Sequence, residues 1–320
     1  MKVVVRSKYG PPATILGIEE IEIPVLRNNE VLIRIYASTA NRTDYHMLTG
    51  EPFLIRLLTG LTRPRSTRIG SDFAGQIEKV GESVQSFNVG DAVMGFGGMF
   101  GCGSLAEYIS LPETRGIIKM PANIGYEEAA ACLEGTFYAA SLVNMSHPKA
   151  GQKALVYGAT GAIGSAYIQF LKFYGLYVTA VCRGEHAALV KSLGADRVVD
   201  YTTDDFTKDS ERYDFVFDAV GKSSFLKCKR LLKSKGSYIS SDGLENIFWA
   251  LFTRLFGGKR VELAAPRDIK GNLNFIKDLI EKGKFKPLID RTYSLDKIVE
   301  AFQYVGTKQK VGNVVIAMNT

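Results

Sequence analysis

The glycine-rich run Gly158–Gly164 constrains the fold of this chain more than any other segment. It reads GATGAIG, follows an apolar stretch and precedes a helical pattern. Gly158 permits a tight turn, Gly161 lets the backbone approach a pyrophosphate, and Gly164 allows a helix to pack closely on a sheet. Helix N-terminal amides and the helix dipole favour a phosphate at this point. The alternative is a glycine-rich turn that binds nothing. We predict a dinucleotide site formed by Gly158, Thr160, Gly161, Ala162 and Ile163.

The residues around this run alternate between strand and helix patterns. Strands are predicted at Lys153–Tyr157, Tyr177–Cys182, Arg197–Asp200, Phe215–Ala219 and Ser237–Ser241. Helices are predicted near Gly164–Tyr174, Glu185–Leu193 and Ser224–Leu232. Right-handed crossovers between such strands produce a doubly wound parallel sheet, which makes the fold class α/β.

The first third of the chain differs and is predicted to be all-β. Strands are predicted at Val31–Ala37 and Phe73–Val80, and within Val89–Gly95 the pair Gly90-Asp91 is a turn signal between two apolar runs. Short strands separated by such turns favour a small barrel. Towards the end, Leu295–Tyr304 is predicted to be a helix and Asn313–Ala317 a strand.

Length and composition limit the class of protein. The 320 residues suggest two domains, and 46% hydrophobic with 23% charged residues is an ordinary globular balance. A net charge of +7 suits anionic ligands, but no nucleic-acid-binding motif is present. Four scattered cysteines indicate a reducing compartment, and no segment is long and apolar enough for a signal peptide or a membrane span. We therefore predict a cytoplasmic protein.

The end of the second strand indicates which dinucleotide binds. NAD sites usually carry an acid about 20 residues after the glycines, which accepts from the ribose 2′-hydroxyl. Here Cys182 is followed by Arg183, whose guanidinium can pair with a 2′-phosphate. Tyr201, after the next strand, can add a hydroxyl. We predict NADPH rather than NADH; the alternative is that Arg183 is an ordinary surface charge.

Other cofactor contacts follow from the geometry of such a sheet, because ligands lie at the carboxyl ends of its strands. Val220 and Gly221 follow one strand and Ser240 and Ser241 end another, so we expect all four near the cofactor.

Seven segments together resemble the medium-chain dehydrogenase/reductase superfamily, in its zinc-independent quinone oxidoreductase-like branch. They are 41–44, 70–75, 89–93, 105–108, 158–164, 193–196 and 310–316. The resemblance implies a GroES-like domain at residues 1–122 and 288–320, with a Rossmann domain inserted at 123–287. It also implies a homodimer, and Lys259–Ala264 would be the edge strand that pairs.

The resemblance further implies what this chain lacks. Zinc-dependent members bind the metal through a Cys that aligns with Asn41, a His that aligns with Ser71, and a third ligand near Glu134. An amide and a hydroxyl are poor zinc ligands beside a thiolate and an imidazole. We therefore predict that no zinc is bound. The resemblance assigns cofactor contacts to Asn41, Arg42, Thr136 and Asn313.

Catalysis without a metal needs hydrogen-bond donors near the substrate oxygen. Thr43 and His46 match a proton relay in the zinc-dependent members, and we predict that Thr43 or Tyr45 lies near this oxygen while His46 passes the proton on. The alternative is that they are structural and water supplies the proton. Asp44 is predicted to be a structural turn residue.

Activated acceptors spread the developing charge and therefore suit a metal-free site. We predict an apolar or planar substrate, and an NADPH-dependent quinone or enone reductase. Aromatic side chains of Asn246–Phe256 and the arginine-rich segment Phe53–Arg68 are candidates for the walls of its site. The alternative for the aromatic positions is that they are core or dimer contacts. A metal-independent carbonyl or alcohol oxidoreductase and a non-catalytic NADPH-binding protein remain as alternatives, because a glycine run reports binding and not chemistry.

Overall fold

The computed structural model describes residues 1–98, 100–240, 244–256, 258–263 and 268–318; within 244–256 it describes the side chains of 246 and 248–253. The chain divides into two compact units. Unit 1 comprises Met1–Glu134, Ile269–Glu281 and Leu288–Thr320. Unit 2 comprises Gly135–Asp268 and Lys282–Pro287. The domain boundaries given above rest on the resemblance and stay a prediction.

The strands are β1 Lys2–Arg6, β2 Leu16–Glu20, β3 Glu30–Thr39, β4 Asp72–Val80, β5 Ala92–Phe96, β6 Tyr108–Pro112, β7 Ile117–Lys119, β8 Lys153–Tyr157, β9 Tyr177–Cys182, β10 Arg197–Asp200, β11 Tyr213–Asp218, β12 Leu232–Ser240, β13 Arg260–Leu263, β14 Ile289–Ser294 and β15 Asn313–Ala317. The α-helices are α1 Pro12–Ile15, α2 Arg42–Thr49, α3 Leu54–Thr59, α4 Tyr126–Ala131, α5 Glu134–Ser146, α6 Ala162–Phe173, α7 Ala187–Ser192, α8 Phe225–Cys228, α9 Leu244–Phe256, α10 Ile269–Glu281 and α11 Ile298–Gly306.

Unit 1 is built on a mostly antiparallel sheet with the strand order β14-β15-β3-β4-β5-β7, and β6 also pairs with β3. The long strand β3 is central, and its continuous apolar side chains line a buried core with those of β4, β15 and α11. The sheet therefore depends on β15, from the end of the described chain, pairing Val315 with Thr39 of β3. The predicted strands Val31–Ala37, Phe73–Val80 and Asn313–Ala317 are confirmed, the first with longer bounds.

Unit 2 contains a parallel sheet with the strand order β10-β9-β8-β11-β12-β13. The chain starts at the central strand β8, moves outwards to β10, and then returns to β11 on the other side. This reversal between β8 and β11 is the switch point at which ligands bind in such sheets. The predicted doubly wound sheet is confirmed, with β8, β9 and β10 at the predicted bounds.

The prediction that the first third is all-β is wrong, because α2 and α3 lie within it. The missed signal for α2 is a pair of caps. The side chain of Asn41 accepts a hydrogen bond from the backbone of Asp44, and Gly50 ends the helix in the left-handed conformation.

Other bounds also differ from the predictions: β11 is Tyr213–Asp218 and not Phe215–Ala219, and β12 begins at Leu232 and not at Ser237. The helix predicted at Ser224–Leu232 ends at Cys228, passes through a 3₁₀ turn, and gives way to β12 at Leu232. The final helix likewise begins with a 3₁₀ turn, so that α11 starts at Ile298. Ser241 and Ala264 lie outside the described residues. Among the described helices, none is long and apolar enough to cross a membrane.

Candidate active site

The turn between β8 and α6 has the geometry that a dinucleotide phosphate needs. Gly158 adopts φ +78°, and a β-carbon there would lie 2.0 Å from the Val220 side chain. Gly161 is the N-cap of α6, and a β-carbon on it would meet nothing closer than 3.6 Å. Glycines thus keep this helix N-terminus open, and its amides fit a pyrophosphate. Thr160, Ala162 and Ile163 belong to the same turn and first helical positions.

The loop after β11 is ordered by a buried carboxylate that the sequence reasoning missed. One oxygen of Asp218 accepts the backbone N–H groups of Val220 (2.9 Å) and Gly221 (2.8 Å). The other accepts from the hydroxyl of Tyr238 at 2.9 Å. Since Val220 also contacts Gly158, the structure brings these two predicted cofactor segments together at the carboxyl edge of the sheet. The signal was an acid at the end of a buried strand, followed by glycine.

Arg183 and Tyr201 meet at the ends of β9 and β10. Arg183 Nε donates to the Tyr201 hydroxyl at 3.2 Å, and its guanidinium lies 3.7 Å from Glu185. Both Arg183 and Tyr201 are exposed, so a guanidinium and a phenol face solvent side by side. This pair is a suitable partner for a phosphate monoester.

An acid near this pair was also missed. Asp200 ends β10 beside Cys182 of β9, and it accepts the backbone N–H and hydroxyl of Thr202 at 2.9 and 2.7 Å. These hydrogen bonds lower the pKa of Asp200. The carboxylate of Asp200 therefore accepts hydrogen bonds from Thr202 and from the backbone of Gly184. The signal missed was the Asp-Tyr-Thr-Thr turn that follows β10.

Four further predicted cofactor residues are buried. Cys182 and Ser240 end strands β9 and β12 and are buried. Thr136 is buried on α5, while Asn313 opens β15 and its amide donates to the Leu288 carbonyl at 3.0 Å. Ser241 lies outside the described residues. Contact of any of these with a cofactor stays a prediction.

In unit 1, the Asn41 side chain is the centre of a buried polar network. Its oxygen accepts the Asp44 backbone N–H at 2.8 Å, while its nitrogen donates to Asp44 Oδ2 and to Ser71 Oγ, both at 2.9 Å. Asp44 Oδ2 also accepts from the Ser71 hydroxyl at 3.1 Å. Asp44 is therefore a structural residue as predicted, but it lies inside α2 and not in a turn.

Two of the three positions that align with zinc ligands therefore hold Asn41 and Ser71, bonded to each other. The amide nitrogen of Asn41 donates to Asp44 and Ser71, and it has no free lone pair for a metal because that pair is delocalised into the carbonyl group. This donor set does not fit zinc. Among the residues that the structure describes, no group of three or more His, Cys, Asp or Glu side chains is placed to hold a metal ion.

Three carboxyl groups are buried around this network. Burial raises the pKa of Asp44 well above its usual range, and the neighbouring Asp72 and Glu134 raise it further. Burial also raises the pKa of Asp72 to about 7, although hydrogen bonds from Thr39 oppose the rise. Apolar surroundings thus favour the protonated acids in this part of unit 1.

Glu134 is the third of these acids, and it contacts a predicted catalytic residue. The Thr43 hydroxyl donates to Glu134 Oε1 at 2.5 Å. Burial raises the pKa of Glu134, while the hydrogen bond from Thr43 and the positive charge of Lys310 partly oppose the rise. The pair joins the second residue of α2 to the first residue of α5. A hydroxyl next to a carboxyl of raised pKa can pass a proton to a developing anion.

The side chains of Tyr45 and His46 make different contacts. The Tyr45 ring packs on the unit 1 core, and a β-carbon at Gly306 of α11 would lie 2.8 Å from its hydroxyl. His46 Nε2 accepts from Arg42 Nε at 3.2 Å, and its Nδ1 lies 2.5 Å from the Glu51 carbonyl oxygen. The structure therefore places Tyr45 in helix packing and joins His46 to Arg42. The predicted relay through His46 stays untested.

Several known proteins are similar to this chain in sequence and in fold. Residues 27–122 match the family described as alcohol dehydrogenase GroES-like domain, and residues 193–316 match zinc-binding dehydrogenase. A 2-methylene-furan-3-one reductase from Solanum lycopersicum is 30% identical over 326 residues, covering 99% of this chain and 79% of that protein. The chain belongs to the medium-chain dehydrogenase/reductase superfamily.

Further similarities place it within that superfamily. A chloroplastic NADPH-dependent alkenal/one oxidoreductase from Arabidopsis thaliana is also 30% identical, with 99% and 79% coverage. The structure of the quinone oxidoreductase from Coxiella burnetii superposes with a TM-score of 0.88 at 25% identity, covering 100% of this chain and 99% of that one. The predicted quinone oxidoreductase-like branch and fold class are confirmed. The chain is an oxidoreductase of this branch, with a nicotinamide cofactor.

Proposed function

We propose that this protein is an NADPH-dependent reductase of quinones and α,β-unsaturated carbonyl compounds. One observation carries the proposal: Glu134 is hydrogen-bonded to Thr43 and both lie beside the Asn41–Ser71 pair, where zinc-dependent members hold their metal. In this proposal the Thr43–Glu134 pair donates a proton in the region where zinc-dependent members hold their metal, which acts as a Lewis acid. Acceptors that delocalise their own negative charge need a proton and little more. The names of the Solanum, Arabidopsis and Coxiella proteins support the same substrate classes.

The residues of the glycine turn fit a nicotinamide dinucleotide. The helix N-terminus at Gly161 would hold the pyrophosphate, and the Arg183–Tyr201 pair would hold the 2′-phosphate of NADPH. When bound, the cofactor supplies the hydride. The orientation of Asp200 towards Thr202 supports the phosphate, since a carboxylate directed at the phosphate would repel it.

Thr43 and Glu134 then complete the reduction. After hydride addition the acceptor carries an extra electron pair on oxygen, as an enolate or a quinol anion. The Thr43 hydroxyl donates its proton to this oxygen, and protonated Glu134 returns a proton to Thr43 along their hydrogen bond. An enol formed in this way tautomerises to the saturated carbonyl compound, whereas a quinol is already the product. One acceptor, one NADPH and one proton are consumed for each reduced product and NADP⁺. Solvent reprotonates Glu134 before the next turnover.

The test combines a substrate screen with an isosteric variant. NADPH consumption is measured with a quinone, an enal and a saturated aldehyde, using the full chain and Glu134→Gln. We expect turnover of the first two substrates, and a kcat about 100-fold lower in Glu134→Gln because a positioned acid is lost. The exposed Glu300→Gln on α11 is the matched control and should behave as wild type. Tight NADPH binding without turnover on any substrate would refute the proposed activity.

The pH dependence adds a second criterion. Because burial raises the pKa of Glu134, the wild-type rate should fall as pH rises through that pKa. The Glu134→Gln rate should lack this fall. An unchanged kcat in the variant at every pH would show that water supplies the proton.

A further inference from the structure

Unit 1 contains a cavity lined by Asp44 of the buried Asn41 network and by part of the arginine-rich segment Phe53–Arg68 that was predicted as a wall of the substrate site. Its volume is about 320 Å³, at the lower end of the usual range for ligand pockets. It lies between β1, α2, α3 and the segment after α3. The residues that line it include Arg6, Asp44, Leu58, Arg65, Arg68 and Phe100. Thr43 and Glu134 are not among the residues that line it.

The lining is strongly cationic. Three arginines, Arg6, Arg65 and Arg68, face one acid, Asp44. Arg6 is 5% exposed and donates to the carbonyl oxygens of Met47 and Ser66. These bonds use two of the five N–H donors of the Arg6 guanidinium. A buried cation with unused donors stabilises an anion placed beside it.

Asp44 does not neutralise this charge. Its carboxylate oxygen already accepts hydrogen bonds from Asn41 and Ser71, and burial raises its pKa well above the usual range. Arg65 and Arg68 form no ion pair with any described side chain. The cavity therefore keeps a net positive charge whether or not Asp44 is protonated.

The rim of the cavity is apolar. Leu58 is 49% exposed and Phe100 is 63% exposed, although both are large hydrophobic side chains. The neighbouring Leu54, Leu57 and Leu61 are also exposed. An apolar surface of this kind, next to a group of arginines, is suited to a ligand with an anionic head and a hydrocarbon tail.

We propose that this cavity binds a medium-chain carboxylate, with its head group at Arg6, Arg65 and Arg68 and its tail along Leu58 and Phe100. The proposal does not rest on the reductase activity, because no residue assigned to hydride or proton transfer contributes to it. The arginines require a negatively charged head group, and the exposed apolar side chains at the rim require an apolar tail.

The test measures binding by calorimetry with the full chain. The probes are decanoate below its micelle concentration, acetate, which has the charge without the tail, and 1-decanol, which has the tail without the charge. We expect decanoate to bind at least about tenfold more tightly than either. Arg65→Gln and Arg68→Gln should each weaken decanoate about tenfold, because each removes a charge-assisted hydrogen bond.

Matched variants separate this site from other sites. Arg63→Gln removes the same charge from the same segment but does not line the cavity, so decanoate affinity should be unchanged. Thr43→Val should also leave the affinity unchanged. Equal decanoate affinity in wild type, Arg65→Gln and Arg68→Gln would overturn the inference, as would equal binding of 1-decanol. Loss of binding in Thr43→Val would place decanoate in the candidate active site and would likewise overturn it.

Discussion

Arg183 is the exposed side chain on which the proposed preference for NADPH over NADH depends. Its guanidinium is held by the Tyr201 hydroxyl at 3.2 Å, and this contact is between neighbouring strand ends. The nearest strand-end acid, Asp200, is occupied by Thr202. The proposed 2′-phosphate site combines this guanidinium with the Tyr201 hydroxyl, and the carboxylate of Glu185 lies 3.7 Å from the same guanidinium.

We expect Arg183→Gln to weaken NADPH binding about tenfold and to leave NADH nearly unchanged. The effect is modest because Arg183 is more than half exposed and solvent screens its charge. Fluorescence titration with both cofactors measures it. Lys191→Gln, an exposed charge on α7 of the same unit, is the control. Equal weakening of both cofactors in Arg183→Gln would contradict a specific role for the 2′-phosphate.

Asp72 makes stability depend on pH. Its pKa of about 7 in the folded protein lies above the value of about 3.9 expected in an unfolded chain. As pH rises between these values, the unfolded chain loses a proton that the folded protein keeps, so the free energy of unfolding falls. The loss is complete once pH exceeds the folded pKa.

Asp72→Asn should remove this dependence, because an amide mimics the protonated acid and can still accept from the Thr39 N–H. Between about pH 5 and about pH 8, wild type should lose at least about 1 kcal/mol more unfolding free energy than the variant. Urea unfolding at the two pH values measures the difference. Asp204→Asn, an exposed acid, should follow wild type. Parallel losses in wild type and Asp72→Asn would show that Asp72 is ionised at neutral pH.

Helix α6 packs so closely on the turn before it that only a hydrogen fits at one position. A β-carbon on Gly164 would lie 2.1 Å from the carbonyl oxygen of Gly158, which is backbone and cannot rotate away. Two effects therefore oppose each other in Gly164→Ala. Helix propensity favours alanine by about 1 kcal/mol, whereas forcing an extra carbon into a packed interface costs about 1–3 kcal/mol.

We expect the clash to prevail, because the backbone itself must shift. Gly164→Ala should lose about 2 kcal/mol of unfolding free energy and most of its NADPH affinity. Gly125→Ala is the matched control, since a β-carbon there meets nothing within 4 Å and Gly125 is the N-cap of α4. Thermal unfolding and NADPH titration report the two effects. A Gly164→Ala protein as stable as wild type would contradict the close approach.

Sequence patterns predicted elements well where local signals agree. The strands of unit 2 were predictable because each is a short apolar run bounded by turn residues, and β15 matched for the same reason. Helix α2 was missed because its N-terminal signal is a single Asn41 cap, and its composition is polar. The early end of α8 was not predictable, because it depends on Leu232 pairing with Tyr213 of β11.

The candidate site was only partly predictable for a related reason. Motif spacing identified the glycine turn, Arg183 and Thr43. Some partners of these residues come from remote parts of the chain: Glu134 lies 91 residues from Thr43, and Val220, whose side chain packs on Gly158, follows β11. Tertiary packing determines which hydrogen-bond donor pairs with which carboxyl group. A local sequence pattern does not contain this information.

Unit 2 presents an uncovered apolar surface at one end of its sheet. Strand β13 is the last strand in the order, and α9 packs against it. On α9, Phe248, Leu251 and Phe252 are 60%, 65% and 42% exposed, at the spacing of one helix face. A sheet edge beside an apolar stripe is typical of an interface between copies.

We therefore expect a homodimer in solution and a monomer when Phe248 and Leu251 are both replaced by Asp, because two charges would be buried without partners. Sedimentation equilibrium measures the association. Leu226→Asp, which introduces a charge at another exposed apolar residue of unit 2, should remain dimeric. A monomeric wild type would remove the basis for this interface.

Unit 1 is formed by three separate segments of the chain, and this determines the order in which its strands are synthesised. Strand β15 lies between β14 and β3 in the sheet, yet it is synthesised after all of unit 2. During translation β3 therefore emerges long before β15, with Ala37–Thr39 of one edge unpaired, while the described strands of unit 2 have all been synthesised before β15. A nascent chain of this kind exposes part of an apolar, aggregation-prone edge until β15 emerges, and chaperone binding should concentrate on the first hundred residues.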